Sequence, residues 1–364
     1  MGLEKKKITR RNAIMGAAAL GAAGILLKGD DENHMRESLD AKREKELTPF
    51  ERRYQQRALI GGEMTEIIDA APEEDKGLPS LLFAPGWQAS VHLNALSMDE
   101  LHKRGRRVLS LNHPPRGNVL TALLESDRNA LKEFPSIEIQ KASNLIELLE
   151  RQGINAKNKA DCIAFSEASL NSVIAASVRP DLFRNIVLYA PAGLIGQDSL
   201  IGFSKPGLMR RFQAQVKSNE AGRHSLEARR PSPEEVADAK SKNQIAIDYP
   251  EIKDDEVAQH IGENWDSESH PFADPVRSFQ ELRALAYTQI DELIQRVRSS
   301  GIGVIIMTGV DDEIFPAKIM AERLKKGEID GFLAVRDRHG ARHLFAADQM
   351  LQALKKKQEK SASH

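Results

Sequence analysis

The pentapeptide Ala164-Phe165-Ser166-Glu167-Ala168 constrains this chain more than any other stretch. Before it runs an apolar segment, Asp161-Cys162-Ile163-Ala164-Phe165, and after it an alanine-rich helical pattern, Ala168-Ser169-Leu170-Asn171-Ser172-Val173-Ile174-Ala175-Ala176. Where a strand turns sharply into a helix, the apex residue is held in a strained backbone conformation. The residues two before and two after it must then be small, so that strand and helix do not collide. Ala164 and Ala168 meet that demand around Ser166. A small-x-Ser-x-small pentapeptide is common on its own, and a serine capping an ordinary helix is the plain alternative. The strand in front, the helix behind and the order of later residues give it weight.

Two further segments repeat the pattern of a buried run ending in a polar turn. Gly303-Val304-Ile305-Ile306-Met307-Thr308 reads as a strand and runs into Gly309-Val310-Asp311-Asp312-Glu313-Ile314-Phe315-Pro316. Gly331-Phe332-Leu333-Ala334-Val335 reads as another, followed by Arg336-Asp337-Arg338-His339-Gly340-Ala341-Arg342-His343 and a final helix. Upstream, Leu81-Leu82-Phe83-Ala84 ends in Pro85-Gly86-Trp87, where glycine permits close approach of the backbone.

From about Pro79 to the C-terminal helix these segments resemble the α/β-hydrolase family. The Ser166 turn matches its G-x-S-x-G nucleophile elbow, the Gly309 segment its G-x-x-D-x-x-x-P acid turn, and the loop after Val335 its G-x-x-H histidine loop. The resemblance implies Ser166 as nucleophile, Asp312 as acid and His343 as base. It also implies an oxyanion hole formed by the backbone N–H groups of Glu167 and Trp87. Asp311 competes with Asp312 and His339 with His343; register favours Asp312 and His343. The chain departs from the family in carrying Ala164 and Ala168 for the elbow glycines and Pro85-Gly86 where His-Gly is usual.

These residue types suit one chemistry. A serine hydroxyl is a weak nucleophile until an imidazole takes its proton, and the imidazole needs a carboxylate to fix its tautomer and stabilise its charged form. The tetrahedral intermediate then needs N–H donors for its oxyanion. The implied function is a serine hydrolase acting on a small-molecule acyl substrate, a carboxylic ester first, through an acyl-enzyme. Peptidase, lactonase and thioesterase chemistry use the same triad and stay open. A non-catalytic binding or membrane-anchored protein that keeps the fold is the alternative from another class.

Glu167 places a carboxylate beside a site that must stabilise an oxyanion. Turning away into solvent or another salt bridge is favoured over contact with a cationic part of the substrate. Cys162 reads as a small buried hydrophobe. His113, in Asn112-His113-Pro114-Pro115-Arg116-Gly117, reads as a surface or supporting residue rather than a triad member.

The 364 residues suffice for one large α/β core plus an accessory region. A formal net charge of −1, with basic and acidic residues interleaved, gives no support to a nucleic-acid partner. One cysteine leaves no intramolecular disulfide and no Cys-rich zinc motif. With no phosphate-cradling glycine loop or His-x-x-x-His pair either, neither a cofactor nor a metal is expected.

The alternation of strands and helices implies a mostly parallel sheet covered by helices on both faces. Ile139, Ala142, Leu145, Ile146 and Leu149 form the apolar stripe of the helix before the elbow. The hydrolase core is expected over 63–196 and 281–364, its sheet beginning near Met64, with an inserted helical cap over 197–280. Residues 30–62 read as a charged linker or exposed helix. Residues 1–29 differ from the rest: Lys5-Lys6-Lys7-Ile8-Thr9-Arg10-Arg11 precedes an apolar stretch, Ala13 to Leu27. This resembles a twin-arginine export signal. The expectation is an exported or membrane-anchored protein, with residues 8–27 meeting the membrane. The alternatives are a docked N-terminal helix of a cytoplasmic protein or a true start at Met35.

Overall fold

In the computed structural model the described residues are 47–74, 76–87, 90–114, 131–132, 134–194, 275–309, 312, 315, 317–335 and 344–362. The expected signal (1–29), most of the expected cap (197–274), and Asp311, His339 and His343 lie outside them.

A short helix, α1 (Pro49–Tyr54), opens the described chain. Thr48 accepts from the Glu51 N–H while the Glu51 carboxylate accepts from the Thr48 N–H, so two orphan donors are satisfied reciprocally. Phe50 is buried, and the next residues form strand β1 (Gln55–Ile60), a hairpin partner of β2 (Glu63–Ala70). The sheet therefore begins ahead of Met64, inside the segment that its charge density marks as a linker or exposed helix. Arg52, Arg53 and Arg57 are exposed while Phe50 and Ile60 point inward, so the charges decorate one face of structured chain.

The other elements follow as β3 (Leu81–Ala84), α2 (Ala95–Lys103), β4 (Val108–Leu111), α3 (Ser136–Arg151), β5 (Ala160–Phe165), α4 (Ala168–Val178), β6 (Phe183–Tyr189), α5 (Pro275–Tyr287), α6 (Asp291–Ser299), β7 (Gly303–Gly309), α7 (Ala317–Lys325), β8 (Gly331–Val335) and α8 (Leu344–Ala362). The eight described strands form one sheet in the order β1-β2-β4-β3-β5-β6-β7-β8. The β1–β2 and β2–β4 pairs are antiparallel, and all others are parallel. This is the mostly parallel, helix-covered α/β sheet expected from the alternation. The strands β3, β4, β5 and β7 are buried along their whole length, and β6 everywhere but at Arg184, as their largely apolar runs require.

Topology fixes where a site can form. After β3 the chain steps outward to β4; after β5 it steps the other way to β6. The β3–β5 boundary is therefore the switch point of the sheet, where a crevice opens at the carboxyl ends of the strands. Pairing of Ala84 with Ala164, Phe165 with Tyr189 and Gly309 with Val335 brings the ends of β3, β5, β6, β7 and β8 to one edge. Helix α4 leaves that edge and is buried from Ala168 to Ser177, packed against α3 and α6. Among the described residues no helix is long and apolar enough to cross a membrane.

The opposite edge is held by ions. Arg106 is fully buried, its Nε 2.7 Å from Asp348 on α8 and its Nη2 2.9 Å from Asp161 at the start of β5. Nη1 donates to the Pro79 carbonyl at 2.6 Å, and Arg184 Nε donates to Asp161 at 2.9 Å. Asp348 thus ties α8, which begins directly after His343, to the centre of the sheet.

Candidate active site

Ser166 occupies the apex between β5 and α4 with φ 54°, one of two described non-glycine residues in the left-handed region. Such a conformation costs on the order of 1–3 kcal/mol and persists only where its surroundings over-determine it. Three backbone hydrogen bonds do so here. The Ser166 N–H donates to the Tyr189 carbonyl at 2.8 Å, and its own carbonyl accepts from Ser169 at 3.1 Å and Ala192 at 3.2 Å. Ala190, the other left-handed residue at φ 46°, turns the chain after β6 so that Ala192 reaches Ser166. Ala164 and Ala168 are both completely buried where strand and helix meet, so alanine serves at both small positions of this turn.

The end of β3 lies against that apex. A Cβ added to Gly86 would come within 2.9 Å of both Phe165 Cδ1 and the Phe165 carbonyl oxygen, and 3.0 Å from Ser166 Cβ. Only glycine fits, and its successor Trp87 follows directly at the elbow's flank, partly buried against the core. The two expected oxyanion donors, Trp87 and Glu167, thus belong to segments in contact with Ser166 from either side of the β3–β5 crevice.

Asp312 follows β7 at the same edge and is buried. Its Oδ1 accepts from the Phe315 N–H at 2.9 Å and its own N–H donates to Gly309 O at 3.3 Å, while Thr308 Oγ1 donates to Phe315 O at 3.1 Å. The carboxylate thereby shapes its own turn. His343 lies outside the described residues; α8 begins at the next residue, the fully buried Leu344.

The Glu167 side chain turns away from solvent into a buried salt bridge. Lys141 Nζ on α3 lies 2.5 Å from Glu167 Oε1 and 2.8 Å from Glu281 Oε1 on α5. Arg277 Nε adds a contact to Glu281 at 2.9 Å, and its Nη1 donates to the Pro114 carbonyl at 2.9 Å. Glu138, fully buried on α3, accepts from Asn171 Nδ2 at 3.2 Å. Burial, and after it the nearby Glu167 charge, push Glu138 well above the usual carboxylate range, which favours its protonated form. Burial also raises Glu167 despite Lys141 beside it, whereas Lys141 and Arg277 hold Glu281 below its ordinary value against the cost of burial. Burial, then the Lys141 and Arg277 charges, keep His113 neutral, and neither of its ring nitrogens has a hydrogen-bond partner among the described residues. Burial pushes the Cys162 thiol up to about 12, in keeping with a packed rather than reactive cysteine.

The sequence does not single out this cluster. Glu138 and Lys141, three apart on a helix, read as a solvated i,i+3 pair, and Arg277 and Glu281 as another at i,i+4. Their one advance signal is Glu167 itself, a carboxylate beside an apolar strand that demands a cation. Among the described residues no group of three or more His, Cys, Asp or Glu side chains could hold a metal ion.

No family model matches the sequence, and no curated protein matches it either. Solved structures do resemble the fold. A bromoperoxidase from Bacillus anthracis aligns with a TM-score of 0.50 at 14% identity, covering 83% of this chain and 99% of that one. A carboxylesterase from Bacillus subtilis aligns at 0.48 and 13% identity, covering 88% of this chain and 97% of that one. An enol-lactonase from Burkholderia xenovorans aligns at 0.47 and 12% identity, covering 82% and 98%. At these identities the likeness concerns the path of the chain.

Proposed function

We propose, for a chain with the α/β-hydrolase fold and a strained serine at its central turn, that it hydrolyses a small-molecule carboxylic ester through an acyl-enzyme on Ser166. In this reading the Ser166 hydroxyl attacks the ester carbonyl while His343 takes its proton, and Asp312 orients and stabilises the imidazolium. The Glu167 and Trp87 N–H groups receive the oxyanion from the two sides of the crevice. Collapse expels the alcohol, protonated by His343; water, deprotonated by the same imidazole, then releases the acid and restores the serine.

The observation that carries the reading is Ser166 itself, a non-glycine residue at φ 54° at the switch point of a parallel sheet. A helix-capping serine needs no such strain, since N-caps sit in extended backbone. Turnover of short-chain aryl esters tests the proposal. Ser166→Ala should lower kcat by about 10⁶-fold, the scale of losing a triad nucleophile, with an unchanged unfolding midpoint. Retained turnover or retained burst kinetics in that variant would contradict it.

A further inference from the structure

The Glu167 peptide supplies one of the two N–H donors in the proposed hydrolysis, yet its side chain carries a carboxylate into the interior one residue from Ser166. Unbalanced, that charge would oppose negative charge growing on the oxyanion, and its burial leaves it poorly screened. Among the described residues Lys141 is the cation within reach: it touches Glu167 at 2.5 Å and Glu281 at 2.8 Å, with 5% of its side chain exposed. Through Glu281 and Arg277 the chain of contacts ends on the Pro114 carbonyl in the loop leaving β4. The elbow is thereby joined to α3, to α5 and to the neighbouring loop of the crevice.

We propose that Lys141 is a positioning residue for hydrolysis: it neutralises the Glu167 carboxylate and anchors that residue so that its N–H meets the oxyanion. The proposal rests on the hydrolase reading given above. Among the described residues the groups acting on Glu167 are Lys141 and Glu138 from α3 and Glu281 from α5; behind them Asn171 from α4 bonds Glu138, Arg277 from α5 bonds Glu281, and His113 from the loop after β4 feels the Lys141 and Arg277 charges. Lys141 is the one that is both cationic and in direct contact with the Glu167 carboxylate among the described residues.

Steady-state kinetics on an aryl ester across pH, with the full chain and with unfolding midpoints measured alongside, test this with two variants. Lys141→Met should lower kcat about 10- to 100-fold, the effect of weakening one oxyanion donor, while KM moves by less than about 3-fold. The ratio of variant to wild-type kcat should fall further as pH rises, because the Glu167 carboxyl, deprived of its ammonium, is neutral at low pH and charged at high pH. Adding Glu167→Gln removes the stranded charge; the double variant should regain at least about tenfold of the loss and shed the added pH dependence. A merely structural lysine predicts a double variant as impaired as the single one, and that result overturns the proposal, as does wild-type kcat in Lys141→Met. Should Lys141→Met fail to fold, the double variant decides: kcat within about tenfold of wild type upholds the proposal, and a larger loss overturns it. A wild-type chain that neither turns over esters nor reacts with a fluorophosphonate removes the hydrolase reading itself, an outcome distinct from any of these.

Discussion

Each edge of the sheet has a buried ion network, and the two differ in how their charge is balanced. At the edge away from Ser166, Arg106 and Arg184 face Asp161 and Asp348, two cations against two anions. Behind the elbow, among the described residues, Lys141 and Arg277 face Glu138, Glu167 and Glu281, two cations against three acids, and burial with the Glu167 charge favours a proton on Glu138. The first network joins the segment leading into β4 to β5, β6 and α8 and, among the described residues, has no surplus of either sign, as suits a frame. The second holds one acid too many beside the place where negative charge would develop. A buried carboxylate surplus is tolerable there because a proton can neutralise it, at the cost of making the region sensitive to pH.

Substitutions at the two edges should therefore fail differently. The largest effect is expected at the chemistry edge without loss of stability. Asp312→Asn keeps the Oδ1 acceptor for the Phe315 N–H and removes only the charge, so turnover should drop about 10⁴-fold with the fold intact, while Asp311→Asn is mild. His343→Ala against His339→Ala should rank the same way. Stopped or initial-rate assays on an aryl ester read both comparisons, and a reversed ranking moves the role to the neighbour.

At the other edge the order is inverted. Arg106→Met leaves Asp161 with Arg184 alone and strips the buried Asp348 of its arginine partner, which should cost about 3–5 kcal/mol in urea unfolding. Turnover per folded molecule should stay near wild type. A variant with full stability, or one that folds normally but loses kcat, would erase the distinction between frame and site.

The smallest effect separates the networks by pH. Glu138 has a folded pKa above its unfolded value, so the folded chain binds more protons over that interval and stability falls as pH rises from the ordinary glutamate range through the folded value. Glu138→Gln retains an acceptor for Asn171 and removes that dependence. Its midpoint relative to wild type should therefore increase from pH 5 toward pH 8, and a constant difference would show that Glu138 is not the proton carrier.

Sequence reading and structure agree best where local pattern and tertiary role coincide. The elbow was legible because strand, apex and helix are adjacent in the chain, and the small residues Ala164 and Ala168 report a steric demand made by those same neighbours. The strands β5, β6 and β7 were legible because burial on both faces writes an unbroken apolar run. Phe50 and β1 were missed for the opposite reason: one inward-facing residue in a charged segment is a weak signal, although it is enough to dock α1. Lys141, Glu281 and Arg106 illustrate the remaining limit. Each is a long charged side chain whose partner lies on another element, from 26 residues away for Lys141 and Glu167 to 242 for Arg106 and Asp348, and no helical or strand period encodes such a pairing.

The account turns on whether Ser166 is an activated nucleophile. Labelling of the full chain with a fluorophosphonate, followed by peptide mapping, tests that directly. The expected result is one adduct per chain on the peptide containing Ser166, lost in Ser166→Ala and strongly slowed in His343→Ala. An adduct at another serine, or no adduct on a folded chain, would contradict it.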